Sequence, residues 1–294
     1  MKTSIINETL YKTSLTHQEV AKRVKNIGFD GYDYTLYGEW ATPQAIFSQP
    51  RENWVKFFEE ERKIIEGEGL KVFQTHGTFR SDFDADAPYV FTQKVIDQFK
   101  REIEATAILG SKYIVIHPIN LARLSKDKEK DFEINMTEFS KLTPILREFG
   151  VKNGIEDMFT WDPLRGRNCT TGCSTPEDMI RYIDGLNAPD AFCACLDTGH
   201  MLIHSIEPAD AVRKLGSRLE ILHVQDNNGI TDQHLPVGLG ITDWKDFVKA
   251  LKDINYKGVF NLELTLTKFL NVGEKSLWKM VEYAFASAKE ILGE

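Results

Sequence analysis

The chain has 294 residues, 42% hydrophobic and 27% charged, which is ample for a large core and excludes a disordered or disulfide-dependent protein. No apolar run approaches the roughly 20 residues of a membrane-spanning helix, and MKTSIINETL lacks the apolar core of a secretory signal, so a cytoplasmic protein with no membrane partner is expected. The net charge of −8 gives no general attraction to polyanions and weighs against nucleic acid as a partner.

SIIN near the start reads as a short first strand. THQEVAKRVKNIG reads as a helix: Thr16 can cap it, Glu19 completes a capping box, and Gly28 comes just after its end. FDGYDYTLY is the second strand, WVKFFEEERKIIEGEG an amphipathic helix and LKVFQTH the third strand. Residues 90–109 form a helix stopping at Gly110, KYIVIHP the fourth strand, residues 131–149 a helix stopping at Gly150, and VKNGIEDM the fifth strand. TPEDMIRYID is a helix with Thr175 as its cap and Pro176 in its first position. FCACLDT is the sixth strand, EPADAVRKLG a short helix and LEILHVQD the seventh strand. DWKDFVKALKDI is a helix, GVFNLEL the eighth strand, and residues 275–292 the last helix. Long loops cover 38–50, 119–130, 159–175 and 226–242. Strands alternating with helices imply a parallel sheet. Eight such units in a chain a little above the roughly 250 residues of one barrel predict a single (β/α)8 TIM barrel over residues 1–294.

Four of the seven histidines sit where a strand-like run stops, together with carboxylates, and a fifth, His234, follows in the next loop. The runs end in THG at His76, VIHP at His117, GIEDM at Glu156, CLDTGH at Asp197 and His200, ILHVQD at His223 and NLEL at Glu263. Successive members of the series His76, His117, Glu156, Asp197, His223 and Glu263 lie 41, 39, 41, 26 and 40 residues apart, each step holding a strand, a loop and a helix. The spacing predicts convergence at the C-terminal ends of the strands, where active sites of such barrels form. Asp232 and His234 lie in the loop after His223. His17 and His204 are assigned to helices and to no site.

Side-chain parity supports the convergence, because successive strand residues point to opposite faces. In GVFNLEL, Phe260, Leu262 and Leu264 share the greasy face, which turns Asn261 and Glu263 into the barrel. In ILHVQD, Leu222 and Val224 face outward while Ile221, His223 and Gln225 face inward. Ile114 and Ile116 oppose His117, Ile155 opposes Glu156, and Asp197 shares its face with Cys193 and Cys195. Those two cysteines are expected to fill the interior as small hydrophobes, and Cys169 and Cys173 to be free thiols in a loop.

The ring of Glu156, Asp197, His223 and Glu263 offers three oxygen donors and one nitrogen donor, compatible with Mn²⁺, Mg²⁺, Co²⁺ or Zn²⁺. Three carboxylates packed together call for a divalent ion to neutralise them. His76 and His117 lie near Glu156 in a barrel closed in sequence order, and His200, Asp232 and His234 form a further cluster that can take a second metal or the substrate. No organic cofactor is expected: the GLG at 238–240 lacks the continuation of a dinucleotide site.

The chain resembles the xylose isomerase-like barrel superfamily, which holds sugar and sugar-phosphate isomerases and epimerases together with endonuclease IV. The resemblance covers nearly the whole chain and is densest from GIEDM through LDTGH and LHVQDNNG–DQHLPVGLG to NLEL. It implies that residues matching Glu156, Asp197, His223 and Glu263 hold one divalent metal, and that the two glutamates move protons on and off a sugar carbon. All nine residues that hold three zincs in endonuclease IV also have a match: His76, His117, Glu156, Asp197, His200, His223, Asp232, His234 and Glu263. Ketose 3-epimerases place an arginine after the seventh strand, and DNNGITDQHLPVGLG has none.

The leading expectation is therefore a metal-dependent isomerase or epimerase acting on a small-molecule sugar or sugar phosphate, with Glu156 and Glu263 as proton-transfer groups around a metal-stabilised enediolate. Arg80, Arg123, Arg165 and Arg167 lie in loops on the catalytic side where one could grip a phosphate. The rival expectation is multi-metal hydrolysis of a phosphodiester at abasic DNA, for which Trp40, Phe47 and Trp54 could wedge into a duplex. A catalytically silent sugar- or metal-binding barrel is the third, and self-association as a homo-oligomer stays open.

Overall fold

The computed structural model describes residues 1–36, 46–78, 90–120 and 128–294. Trp40, Arg80 and Arg123 lie outside these residues. In chain order the strands are β1 (Thr3–Ile6), β2 (Gly31–Thr35), β3 (Lys71–His76), β4 (Tyr113–Val115), β5 (Lys152–Glu156), β6 (Phe159–Asp162), β7 (Arg167–Thr170), β8 (Phe192–Asp197), β9 (Leu219–His223) and β10 (Phe260–Leu262). The helices are α1 (His17–Ile27), α2 (Arg51–Gly67), α3 (Gln93–Ile108), α4 (Lys128–Phe149), α5 (Pro176–Leu186), α6 (Thr198–Ile203), α7 (Pro208–Leu215), α8 (Trp244–Asp253), α9 (Thr267–Val272) and α10 (Glu274–Leu292).

Eight strands pair in the order β10-β1-β2-β3-β4-β5-β8-β9, and every pairing is parallel. The remaining seam closes just past β9, where Val224 bridges Leu262 in parallel. There Val224 N donates to Asn261 O at 2.8 Å, and Glu263 N donates to Val224 O at 3.0 Å. The result is a (β/α)8 barrel. No helix among the described residues is long and apolar enough to cross a membrane.

The packing agrees with the side-chain parity of the strands. Ile114, Ile116, Ile155, Leu222, Val224, Phe260, Leu262 and Leu264 join the large core between strands and helices. Cys195, Val115 and Ile221 form a separate small cluster inside the barrel. All four cysteines are free. Thr16 and Glu19 form the expected capping box on α1, and Thr175 and Asp178 form one on α5.

Two local features differ from the sequence reading. The stretch read as a loop over 159–175 contains the antiparallel pair β6–β7. Its turn is built by Asp162, whose carboxylate accepts from Leu164 N at 2.9 Å and Arg165 N at 3.2 Å, with Gly166 at φ 61°. The fourth strand is three residues long, because Ile116 N bonds to the Asn153 side chain at 2.8 Å rather than to a neighbouring strand's backbone. A short helix, α6, starts directly at the end of β8 with Asp197 as its cap.

Candidate metal centre

Glu156, Asp197 and His223 are the last residues of β5, β8 and β9, and Glu263 lies one residue beyond β10. Parallel strands in register bring these ends to one level, so the four side chains meet above the barrel interior. One ligand atom from each lies within 4.8 Å of the others, and all four residues are buried. His223 Nδ1 is 3.0 Å from Glu156 Oε1 and 3.2 Å from Glu263 Oε2. Glu156 Oε2 and Glu263 Oε2 are buried without a hydrogen bond of good geometry. Buried carboxylate oxygens left in this way are costly, and a divalent cation relieves the cost. An ion about 2.1 Å from each donor spaces the donors roughly 3–4.2 Å apart, close to the spacing of this cluster. The residues thus fit a metal on both donor chemistry and spacing.

Asp197 divides its oxygens. Its Oδ1 caps α6, accepting from Gly199 N at 2.7 Å and His200 N at 2.9 Å. The Gln225 amide reaches Asp197 Oδ1 at 3.2 Å and Asp232 Oδ1 at 2.6 Å, and its carbonyl accepts from His234 N at 3.0 Å. Gln225 therefore ties the ring to the loop beyond it. Gly199 makes room for this: a Cβ there would come within 2.3 Å of the Gln225 amide carbon.

The outlying histidines fall into two groups. His76 and His117 approach through their Nε2 atoms at 3.2 Å, and His117 Nε2 lies 2.9 Å from Glu156 Oε2. His234 Nε2 lies 2.8 Å from Asp232 Oδ2, and His200 Nε2 lies 3.7 Å from that oxygen. Each group offers three donors, with Glu156 shared between the first group and the ring.

Asp226 organises the loop that carries Asp232 and His234. Its buried carboxylate accepts from Gly238 N, Gly240 N, Thr242 N, Thr242 Oγ1 and Trp244 Nε1 at 2.8–3.2 Å. Gly240 packs against this residue so closely that a Cβ would sit 2.3 Å from Asp226 Oδ1.

The electrostatics separate the two glutamates. Burial opposes ionisation of Glu156, but the imidazoles of His223 and His117 hold its carboxyl well below the usual range. Burial pushes Glu263 well above that range, and the charges of Glu156 and Asp197 add to the shift. Burial, with His117 alongside, pushes His76 down to about 4. His234 is pushed up to about 10, because the Asp232 hydrogen bond overcomes its burial.

A cavity of about 290 Å³ opens onto the centre, lined by Ile6, Glu8, Phe159 and Thr265 along with the histidines and both glutamates. Among the described residues, no lysine or arginine lines it. Arg165 instead pairs with Asp162 at the hairpin turn, and Arg167 is exposed in β7. A larger cavity of about 930 Å³ opens at the opposite end of the barrel beside Lys2, Tyr113, Glu220 and Tyr256. Its Glu220 is already paired with Tyr113 and Lys152, at 2.9 and 2.6 Å, so it lacks the reactive grouping of the smaller one. Phe47 and Trp54 are buried and pack edge-on at 5.6 Å, which removes both as wedges for a DNA duplex. His204 lies just after α6, with Nε2 3.2 Å from Met158 O, outside the cluster.

Sequence reasoning passed over Asp33, which lies under the ring with Oδ2 3.3 Å from His223 Nε2. Its signal was an acidic residue in the middle of an otherwise uncharged barrel strand, GYDYT.

The sequence profile described as xylose isomerase-like TIM barrel matches residues 21–279. The chain belongs to that family. Among proteins similar to this member, D-psicose 3-epimerase of Enterocloster bolteae is 28% identical over 173 residues, covering 58% of this chain and 53% of the epimerase. Probable endonuclease 4 of Shouchella clausii is 24% identical, covering 61% of this chain and 66% of that protein. The chain therefore spans less than two thirds of either relative's length. The solved structure of the IOLI protein with a binding zinc atom superposes with a TM-score of 0.75 at 18% identity, covering 100% of this chain and 98% of that one. That likeness speaks for the shared barrel fold.

Proposed function

We propose that the protein is a divalent-metal-dependent isomerase or epimerase acting on a small polyhydroxy ketone or its aldose isomer. The observation that carries the reading is the buried ring itself: two glutamates from β5 and the end of β10 flank one histidine, and each keeps one oxygen without a hydrogen bond of good geometry. Glu156, Asp197, His223 and Glu263 would hold the ion. When bound, it would supply Lewis-acid polarisation of the substrate's carbonyl.

The chain's own residues do the rest. One glutamate takes the proton alpha to the carbonyl, leaving an enediolate, and a glutamate returns a proton to the same carbon for epimerisation or to its neighbour for isomerisation. Burial keeps bulk water from the carbanion-like carbon. Among the described residues no lysine or arginine lines the cavity, and Glu8 does, which favours an unphosphorylated substrate.

The likeness to a sugar epimerase supports this reading over the likeness to a probable endonuclease, since Phe47 and Trp54 are committed to packing. Glu156→Gln and Glu263→Gln should each fold as the parent does and lose about 10²–10⁴-fold in solvent-deuterium exchange at the substrate's alpha carbon. The assay is incorporation of deuterium into a panel of free ketoses and aldoses. A double variant that still exchanges at the parental rate rejects the reading.

A further inference from the structure

We infer that Asp33 is the positioning residue for His223, accepting a hydrogen bond from its protonated Nε2 so that Nδ1 turns its lone pair to the carboxylate ring. The inference rests on the metal reading of that ring. Asp33 sits in the middle of β2, wholly buried, and does not line the cavity above the ring. It therefore has no route to a substrate except through its neighbours.

Those neighbours converge on one atom. Asp33 Oδ2 accepts from Gln74 Nε2 at 2.9 Å and Asn261 Nδ2 at 3.0 Å, and His223 Nε2 lies 3.3 Å away. Ser4 Oγ donates to Asn261 Oδ1 at 2.8 Å, which fixes the Asn261 amide with its nitrogen toward Asp33. Asp33 Oδ1 and His223 Nε2 are both buried without a hydrogen bond of good geometry. The 3.3 Å contact is a few tenths of an ångström longer than a charge-assisted hydrogen bond.

A carboxylate here needs a reason. Val115, Cys195 and Ile221 show that the same interior accepts apolar side chains. Burying a charge against two neutral amides costs several kcal/mol unless another group compensates. His223 is that group. Its ring is bounded by Glu156 and Glu263 at Nδ1, Asp33 at Nε2 and the stacked His76 ring at 5.4 Å, with the buried Cys195 thiol also beside it. A neutral imidazole carries one proton. With that proton on Nδ1, the Nε2 lone pair would face a buried anion. With it on Nε2, both edges of the ring are satisfied once Nδ1 meets a cation. Carboxylate-supported histidines are stronger donors to metals, and losing the support typically weakens metal affinity about 10–100-fold.

The test uses the full chain with Asp33→Asn, Asp33→Leu and, as a control, Gln74→Met, which removes the Gln74 hydrogen bonds to Asp33 and to Leu222 O and keeps the Asp33 carboxylate beside His223. Zinc and cobalt affinity is read by competition with a chromophoric chelator, and the visible spectrum of the cobalt form reports ligand geometry. Folding of the metal-free proteins is checked by circular dichroism. Both Asp33 variants should bind about 10–100-fold more weakly with displaced cobalt bands, and the control within about threefold of the parent. In the zinc-loaded parent, long-range ¹H–¹⁵N spectra should show the His223 proton on Nε2. That spectrum needs no variant, and a proton on Nδ1 overturns the inference. Parental affinity and an unchanged cobalt spectrum in Asp33→Asn overturn it as well, while leaving the ring's metal reading intact. A parent chain that takes up no divalent metal removes both.

Discussion

At the residue scale, two histidines outside the metal centre have different partners. His17 Nδ1 lies 2.7 Å from the Glu61 carboxylate and its ring stacks on Tyr11. His204 has the backbone carbonyl of Met158 as its hydrogen-bond partner, and burial pushes it down to about 4. The unfolded chain protonates such a histidine near 6.5, so between about 6.5 and 4 the unfolded state binds more protons than the folded one. Stability from neutral His204 is therefore complete above about 6.5 and lost as the pH falls toward 4. His204→Gln, which can still donate to Met158 O, should flatten that acid limb and be worth about 1–2 kcal/mol at pH 5 relative to the parent. Urea titrations at pH 5 and pH 8 check it. An equal difference at both values assigns the acid loss elsewhere.

At the scale of elements, each strand end is set by the segment that continues from it. β8 stops because Asp197 caps α6, and the same side chain lies in the ring of four. In the loop after β9, Ile230, Leu239 and Ile241 are exposed while Val237 is buried, and the Asp226 carboxylate ties down the backbone at Gly238, Gly240 and Thr242. Asp226→Ala leaves buried amide donors and the Trp244 indole unpaired. It should cost about 2–4 kcal/mol and speed proteolysis between 227 and 242, read by limited digestion and mass spectrometry. A variant cut no faster than the parent shows that the loop is held by other contacts.

At the scale of the molecule, the barrel brings nine ionisable side chains together from parts of the chain as far apart as His76 and Glu263. The inner four suffice for one ion, and the two outer groups of three could hold more. A sugar isomerase or epimerase predicts one exchangeable ion per chain, counted by elemental analysis after dialysis. Three tightly held zincs would favour phosphodiester hydrolysis. An ion that binds only the folded state adds about 2.7 kcal/mol at a hundredfold excess over its dissociation constant, so a chelator should lower the melting temperature.

Much of this was legible along the chain. Alternating strands and helices, the 26-to-41-residue spacing of strand-end ligands and the parity of GVFNLEL and ILHVQD carried the barrel and the inward direction of Glu263 and His223. These are local or periodic properties: capping, amphipathic period and alternation act within a few residues. Other features depended on packing between distant segments. The support of His223 by Asp33, the link through Gln225, the burial of Phe47 and Trp54 and the opposite shifts of Glu156 and Glu263 all depend on neighbours that only the folded chain supplies. The sequence alone determined which side chains could chelate and which face of each strand they share, because strand geometry dictates both. Only the closed barrel decided their distances, their charges and which neighbour steadies each one, because those arise from burial and from contacts that exist only once the strands have met.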